Sequence, residues 1–366
     1  MGLKVKTRCM ALKHEQAMTE PSDVVGLVDR HLRALLDEKG VGGLAAGVVA
    51  QGRYYSFGFG RVSERSSDTP SSITVFEIGS ISKVFTGLLL ADMAERGEVS
   101  LDDPVSRYLP GEAKIPEGNS RPITLFDLAT HSSGLPRLPS NLAPKDDGDP
   151  YADYTEELLY AYLKGYEPKR KPGSVTEYSN LGMGLLGFVL ARRAGKTYEE
   201  LVIERIAGPL GMNETRITLT DSMRSRLAQG HDERGRPVPL WHLPTLAGAG
   251  GLRSTISDML TFLRANLGPA ETPLPEAIEV SHEPRRSMGL LSRSKIALAW
   301  IVRADGIIWH NGQTGGYHSF TGFWPGRGVG VVVLANRAAE AVDAPATRLL
   351  EELGRSSRVD SVEPQG

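Results

Sequence analysis

The sequence predicts a mixed α/β protein: the two ends of the chain build one antiparallel sheet flanked by terminal helices, and the middle forms a mainly helical lobe against it. Three observations lead there. Strand-like runs cluster near both ends, amphipathic helical patterns flank them, and the stretch from about Phe85 to about Thr261 is dominated by helical periodicity and proline-bearing loops.

Taken in order, Pro21, Ser22 and Asp23 introduce a helix whose apolar positions Val24, Leu27, Val28, Leu32, Leu35 and Leu36 recur at three and four residues, with Gly40 as its stop. Leu44–Ala50 and Tyr54–Val62 follow as strands, separated by Gln51-Gly52 as in a hairpin. Near the far end, Ile296–Val302, Ile307–His310, Tyr317–Trp324 and Val329–Ala335 read as further strands, with the last turn at Gly326–Gly328. A closing helix places Ala346, Leu349, Leu350 and Leu353 on one face. The expected organisation is a flexible extension over 1–20, one folded domain over 21–353 and a disordered tail over 354–366. Within the domain, the sheet lobe covers 21–84 and 290–353 and the mainly helical lobe 85–289. Two polar, proline-rich segments, Leu138–Tyr154 and Leu267–Ser287, read as loops that shape a substrate pocket.

The chain has 366 residues, 40% hydrophobic and 23% charged, which is enough for a large core. Its 42 Lys and Arg against 44 Asp and Glu give a net charge of −2, so no basic field exists to hold nucleic acid or an anionic membrane. No apolar run approaches the roughly 18 residues needed to span a bilayer. The single cysteine, Cys9, excludes an intramolecular disulfide and a thiolate-rich metal site. The eight histidines include no H-E-x-x-H pair, so neither a metal nor another cofactor is expected. Met1–Met18 carries Lys4, Lys6, Arg8, Lys13, His14 and Glu15 without an uninterrupted apolar stretch, so a secretory signal is not expected and the location reads as cytoplasmic.

The chemistry concentrates in three strings. In Glu77-Ile-Gly-Ser80-Ile-Ser-Lys83, the serine stands at the first turn of a helix with the apolar stripe Ile81, Phe85, Leu88, Leu89 and Met93, and Lys83 lies one turn on, on the same side. A desolvated lysine can take the proton of a neighbouring serine, and a helix start offers N–H groups to an oxyanion. The plainer alternative is an N-capping serine with a solvated lysine; Ser292-Arg-Ser-Lys295 matches the same pattern in a charged segment and is assigned no role. In Tyr178-Ser179-Asn180, two polar side chains two apart in an extended stretch point the same way, the phenol suited to proton transfer and the amide to holding a carbonyl. A core tyrosine and a helix-capping asparagine are the alternative. Trp309-His310-Asn311-Gly312-Gln313-Thr314-Gly315-Gly316 ends a strand in glycines that allow a ligand close to the backbone, or merely forms a hairpin.

Other matches carry no function. Gly182, Gly184 and Gly187 follow Tyr-Ser-Asn rather than a strand, which suits a small-residue helix face and not a dinucleotide fingerprint. Gly195-Lys196-Thr197 lacks the leading glycine of a P-loop, Leu190 standing in its place, and no G-x-S-x-G occurs.

Together, S-x-x-K, Y-x-N and H-x-G in this order resemble the penicillin-binding-protein-like serine hydrolases: class C β-lactamases, DD-peptidases and the β-lactamase-like esterases. Supporting similarity runs from about Gly43 to about Arg337 and includes Gly97–Val105, Thr130-His131-Ser132-Ser133-Gly134-Leu135-Pro136, Gly248–Thr255 and Val333–Asn336. The resemblance implies a β-lactamase/transpeptidase-like fold, with Ser80 as acylated nucleophile, Lys83 as its activating partner and Tyr178 as proton carrier. It further implies that Asn180 binds the acyl-side carbonyl and that the Ser80 and Gln313 N–H groups, beside Gly312, hold the oxyanion. His310 stands where many relatives have lysine, which makes its charge pH-dependent around an ordinary value of about 6.5. The function expected is a serine hydrolase of small esters or amides, acting through an acyl-enzyme, most simply a carboxylesterase. The alternatives are a biosynthetic acyltransferase using the same acyl-serine, a class C-type β-lactamase or DD-peptidase, and a non-catalytic sensor, against which the intact Ser80, Lys83 and Tyr178 argue. The partner expected is a small-molecule substrate.

Overall fold

A computed structural model describes residues 21–37, 42–113, 115, 121–167, 169–268, 271–289 and 292–356. The expected flexible segment 1–20, the helix stop at Gly40 and the tail beyond Ser356 lie outside the described residues. The closing helix, Asp343–Ser356, runs three residues into the tail that the sequence suggests, and Gly354 within it is buried.

Ten strands are described: β1 Gly43–Ala50, β2 Arg53–Gly60, β3 Phe76–Glu77, β4 Arg253–Ser254, β5 Arg286–Ser287, β6 Lys295–Ile296, β7 Ile301–Val302, β8 Ile308–Gln313, β9 His318–Trp324 and β10 Val329–Ala335. Eight of them form one antiparallel sheet in the order β2-β1-β10-β9-β8-β7-β6-β5, and β3 pairs with β4 in a separate ribbon. The register that joins the two ends of the chain runs from Leu44↔Ala335 to Ala50↔Val329.

Both faces of β1 and β10 are buried, as their unbroken apolar runs require. Leu44, Ala46 and Val48 with Val329, Val331 and Val333 pack under the terminal helices Pro21–Leu32 and Asp343–Ser356, against Val24, Val28, Leu32, Leu349, Leu350 and Leu353. Ala45, Val49, Val332 and Leu334 face the other way, into the core shared with helices Ser82–Glu95, Asn180–Ala194 and Ile256–Leu267. Helix Ser82–Glu95 is buried from Ser82 to Met93 on all sides, rather than along the single stripe its spacing suggests, because it runs through the middle of that core. A nucleophile candidate at its start is thereby held by a deeply packed element.

Two segments depart from the sequence reading. Ile296–Val302 is not one strand but β6 and β7, joined by a turn at Leu298-Ala299 in which Ala299 adopts φ 68°. Leu267–Ser287 is not all loop: it contains helix Pro275–His282, with proline at its first turn, and β5, which joins the sheet ahead of the expected boundary at 290.

Candidate active site

β3 leads into a 3₁₀ turn, Gly79–Ile81, which passes directly into helix Ser82–Glu95. Ser80 sits on the turn, and the spacing of three brings Lys83 Nζ within 2.8 Å of Ser80 Oγ. A second bond, 2.5 Å long, runs from Nζ to the carbonyl of Ala249. Lys83 has no exposed surface and no carboxylate partner among the described residues. Burial, with the Arg137 charge adding to it, pushes its ammonium well below the ordinary lysine value. An amine so placed is available to receive the Ser80 proton.

Tyr178 brings its hydroxyl into hydrogen-bond contact with Ser80, and burial pushes its phenol up to about 12, against the opposing effects of the Ser80 bond and the Arg137 charge. The backbone is not the extended dipeptide that the sequence suggests. Ser179 is the N-cap of helix Asn180–Ala194, accepting from the Gly182 N–H at 2.8 Å, and Asn180 is the first helical residue. Both Tyr178 and Asn180 nevertheless line one cavity with Ser80. The Asn180 side chain also reaches the Tyr151 phenol, and its Oδ1 is buried without a partner among the described residues.

His131 is a residue that the sequence reading quotes without giving it a role. Its Nδ1 accepts from the Ser179 N–H at 3.2 Å, and its carbonyl accepts from the Glu177 N–H at 2.7 Å. Its ring lies 4.5 Å, centre to centre, from that of Tyr178. One residue therefore grips both neighbours of the tyrosine and floors its ring, from a backbone at φ 53°. Burial holds its imidazole well below the ordinary histidine value, reinforced by Lys83, His310 and Arg137, so it is neutral. Local spacing offers no sign of this, since the partners lie far along the chain.

The third string occupies β8. His310 is 1% exposed, and its Nδ1–H donates to the Asn311 carbonyl at 2.5 Å. Burial, together with the Lys83 charge, pushes its imidazole down to about 4, while the Asn311 carbonyl and Asp343 act in the other direction. His310 is uncharged at neutral pH, and the titration near 6.5 expected from the sequence moves out of the neutral range. Its Nε2 is buried without a partner among the described residues, and the ring centre lies 6.3 Å from that of Tyr178.

The end of β8 also brings two backbone donors together. Thr314 N–H bonds the Tyr317 carbonyl, so the adjacent pair Gln313↔His318 is the non-hydrogen-bonded kind and the Gln313 N–H points away from β9. It points at the turn that carries Ser80: a Cβ on Gly79 would stand 2.8 Å from that nitrogen, and one on Gly312 would stand 2.8 Å from the Ser80 nitrogen and collide with the Ile78 carbonyl. Glycine at 79, with φ 49°, and at 312 is what lets turn and strand approach this closely.

The resulting cavity measures about 900 Å³ and is lined by Ser80, Tyr178, Asn180, His310, Gly312 and Gln313. Arg137, Leu138, Tyr151 and Trp241 add to its wall. Of the two loops expected to shape it, Leu138–Tyr154 contributes Leu138 and Tyr151, whereas no described residue of Leu267–Ser287 lines it. The missing wall comes from residues 232–241, tied to β3 by a pair that sequence reasoning missed. Glu77 accepts from Arg253 at 3.1 Å and from the Trp241 N–H at 2.9 Å, with both ionic side chains 3% exposed. The Ser292–Lys295 match lies apart, exposed at both residues. Gly184 and Gly187 pack against Leu246 and Gly248, as a small-residue helix face should.

A serine at a helix start, a buried lysine one turn on, a tyrosine touching the serine and two converging N–H groups define a hydrolase that works through an acyl-serine. Comparison with known proteins gives the family: the β-lactamase family model matches residues 28–355, and the chain belongs to that family of serine hydrolases. It is 28% identical over 349 residues to a β-lactamase of Pseudomonas fluorescens, covering 86% of this chain and 94% of the relative. It is 30% identical over 345 residues to the D-alanyl-D-alanine-carboxypeptidase/endopeptidase AmpH of Escherichia coli K12, covering 88% and 86%. A β-lactamase of the same strain is 29% identical over 353 residues, covering 87% and 90%.

Proposed function

We propose that the protein hydrolyses small carboxylic esters, with Ser80 as the acylated residue. Lys83 takes the hydroxyl proton as Oγ bonds the acyl carbon, and the Ser80 and Gln313 N–H groups receive the charge that develops on the carbonyl oxygen. Tyr178 carries the proton on to the departing alcohol as the C–O bond breaks. Asn180 holds the acyl portion. Water entering from the cavity then attacks the acyl-serine, giving its proton back through Tyr178 and Lys83 and releasing the acid.

The observation that supports an ester over a β-lactam or a peptide is the state of His310. A substrate with a carboxylate on its leaving side needs a cation there, and a buried imidazole with a pKa of about 4 supplies none at neutral pH. An alcohol makes no such demand. The test is kcat/KM for nitrophenyl acetate and butyrate, a chromogenic cephalosporin and a D-Ala-D-Ala peptide, each with and without added amines and alcohols. Ester turnover exceeding cephalosporin turnover is expected, with β-lactams acting as slow substrates or acylating inhibitors. Faster cephalosporin turnover overturns the ester preference, and acyl transfer to one acceptor that outpaces hydrolysis reassigns the protein as an acyltransferase.

A further inference from the structure

Among the described residues, Arg137 is a charged side chain of the cavity wall that no ion pair offsets. Asp232 accepts from the Arg236 guanidinium at 2.7 Å and from the Arg234 and Arg236 N–H groups at 2.9 and 2.8 Å. Glu233 and Arg234, adjacent in the same wall, carry opposite charges. His310 is neutral. Arg137 is exposed and lines the cavity, yet its guanidinium makes no ion pair and donates no hydrogen bond among the described residues. It rests instead over Tyr178, with Cζ 5.2 Å from the ring centre. Its carbonyl accepts from the Asn180 and Leu181 N–H groups at 3.0 and 3.1 Å, which fixes its backbone beside the residue that faces the acyl group.

A guanidinium stacked on a ring has lost part of its freedom and still presents the N–H edges that match a carboxylate. We infer that Arg137 binds an anionic group on the acyl side of the substrate, so that the preferred esters are those whose acyl chain ends in a carboxylate. The inference rests on the acyl-serine reading above and goes beyond it in naming the substrate class. Because the guanidinium sits over the same phenol that touches Ser80, a chain of roughly four to six carbons, with bonds of about 1.5 Å, spans the two. Half-esters of dicarboxylic acids have that form.

The test compares monophenyl adipate with phenyl hexanoate, which match in length and differ in the terminal charge, and 3-carboxyphenyl acetate with phenyl acetate, which move the charge to the leaving side. The expected result is a kcat/KM ratio favouring adipate by about tenfold or more, as a charge-assisted hydrogen bond warrants. The ratio collapses towards one in Arg137→Gln, is partly kept in Arg137→Lys and shrinks as salt is raised. Taking a ratio within each variant cancels any change in the shared acyl-transfer steps. An adipate ratio near one in the native protein, the same ratio in Arg137→Gln, or a preference for 3-carboxyphenyl acetate over phenyl acetate overturns the inference. Failure of every ester to acylate Ser80 withdraws the parent reading and this one with it.

Discussion

Ser80 and Tyr178 meet over one cavity, but their supports are built differently. The serine and its lysine lie on one continuous turn and helix that the core surrounds on all sides, so the geometry between them is set by a spacing of three residues. The tyrosine precedes a helix on a half-buried loop and is fixed from outside, by His131 gripping the residues before and after it and by Arg137 lying over its ring. The first arrangement is local and leaves a mark in the sequence. The second depends on the fold being complete, and its tolerance to substitution should be correspondingly lower at positions that no motif contains.

The largest effect tests the local half. Ser80→Ala should lower kcat by on the order of 10⁴-fold or more and abolish the single adduct that a fluorophosphonate leaves on the intact protein by mass spectrometry. Labelling of Ser292 in its place would break the assignment. Next, Lys83→Ala and Tyr178→Phe should each cost roughly 100-fold or more, and the double variant far less than the product, because they serve one proton-transfer unit. Multiplicative losses would separate the two halves of the comparison completely.

A smaller effect is expected at His131. His131→Ala should lower kcat about tenfold with little change in KM, while His131→Asn, which keeps a side-chain acceptor for the Ser179 N–H and tolerates positive φ, should recover part of the loss. Equal damage by both would make the histidine a packing residue only. The mildest effect concerns pH. With the His310 imidazole pushed down to about 4, kcat/KM should show no histidine limb between pH 6 and 7 from this residue; a limb near 6.5 that His310→Gln removes would contradict its burial. Stability follows the same sign. His282 is likewise pushed down to about 4 by burial, so between pH 4 and 6.5 the unfolded chain binds more protons than the folded one. The contribution is whole above about pH 6.5 and declines as pH falls towards 4, so Tm should drop across that window and drop less in His282→Gln.

The sheet was legible where the chain announces its own turns. Gln51-Gly52 marks the β1–β2 hairpin and Gly326–Gly328 the β9–β10 turn, and all seven residues read as chemical candidates cluster around one cavity and the lysine behind it. What escaped was imposed from a distance. The turn between β6 and β7 contains no glycine, proline or asparagine; the Ala299 N–H bonds the Ala129 carbonyl, and that tertiary bond bends a run whose local pattern is a strand. Helix Pro275–His282 is too short and too polar to show a periodicity above its prolines. Trp241 is held in the cavity wall by Glu77 and Arg253, a pair whose members lie far apart along the chain.

The pairing of β1 with β10 also bears on how the protein is made. An emerging chain releases β1 and β2 early, but the neighbour that covers the other edge of β1 comes almost last, and the helix Asp343–Ser356 that seals the face later still. Until then an apolar edge and face stay open to wrong partners during synthesis, at a rate of about 5–20 residues per second. Nascent chains stalled before Val329 should accordingly lack the β1–β10 ladder, stay sensitive to protease and bind chaperones, and activity should appear only once the last helix has cleared the ribosome.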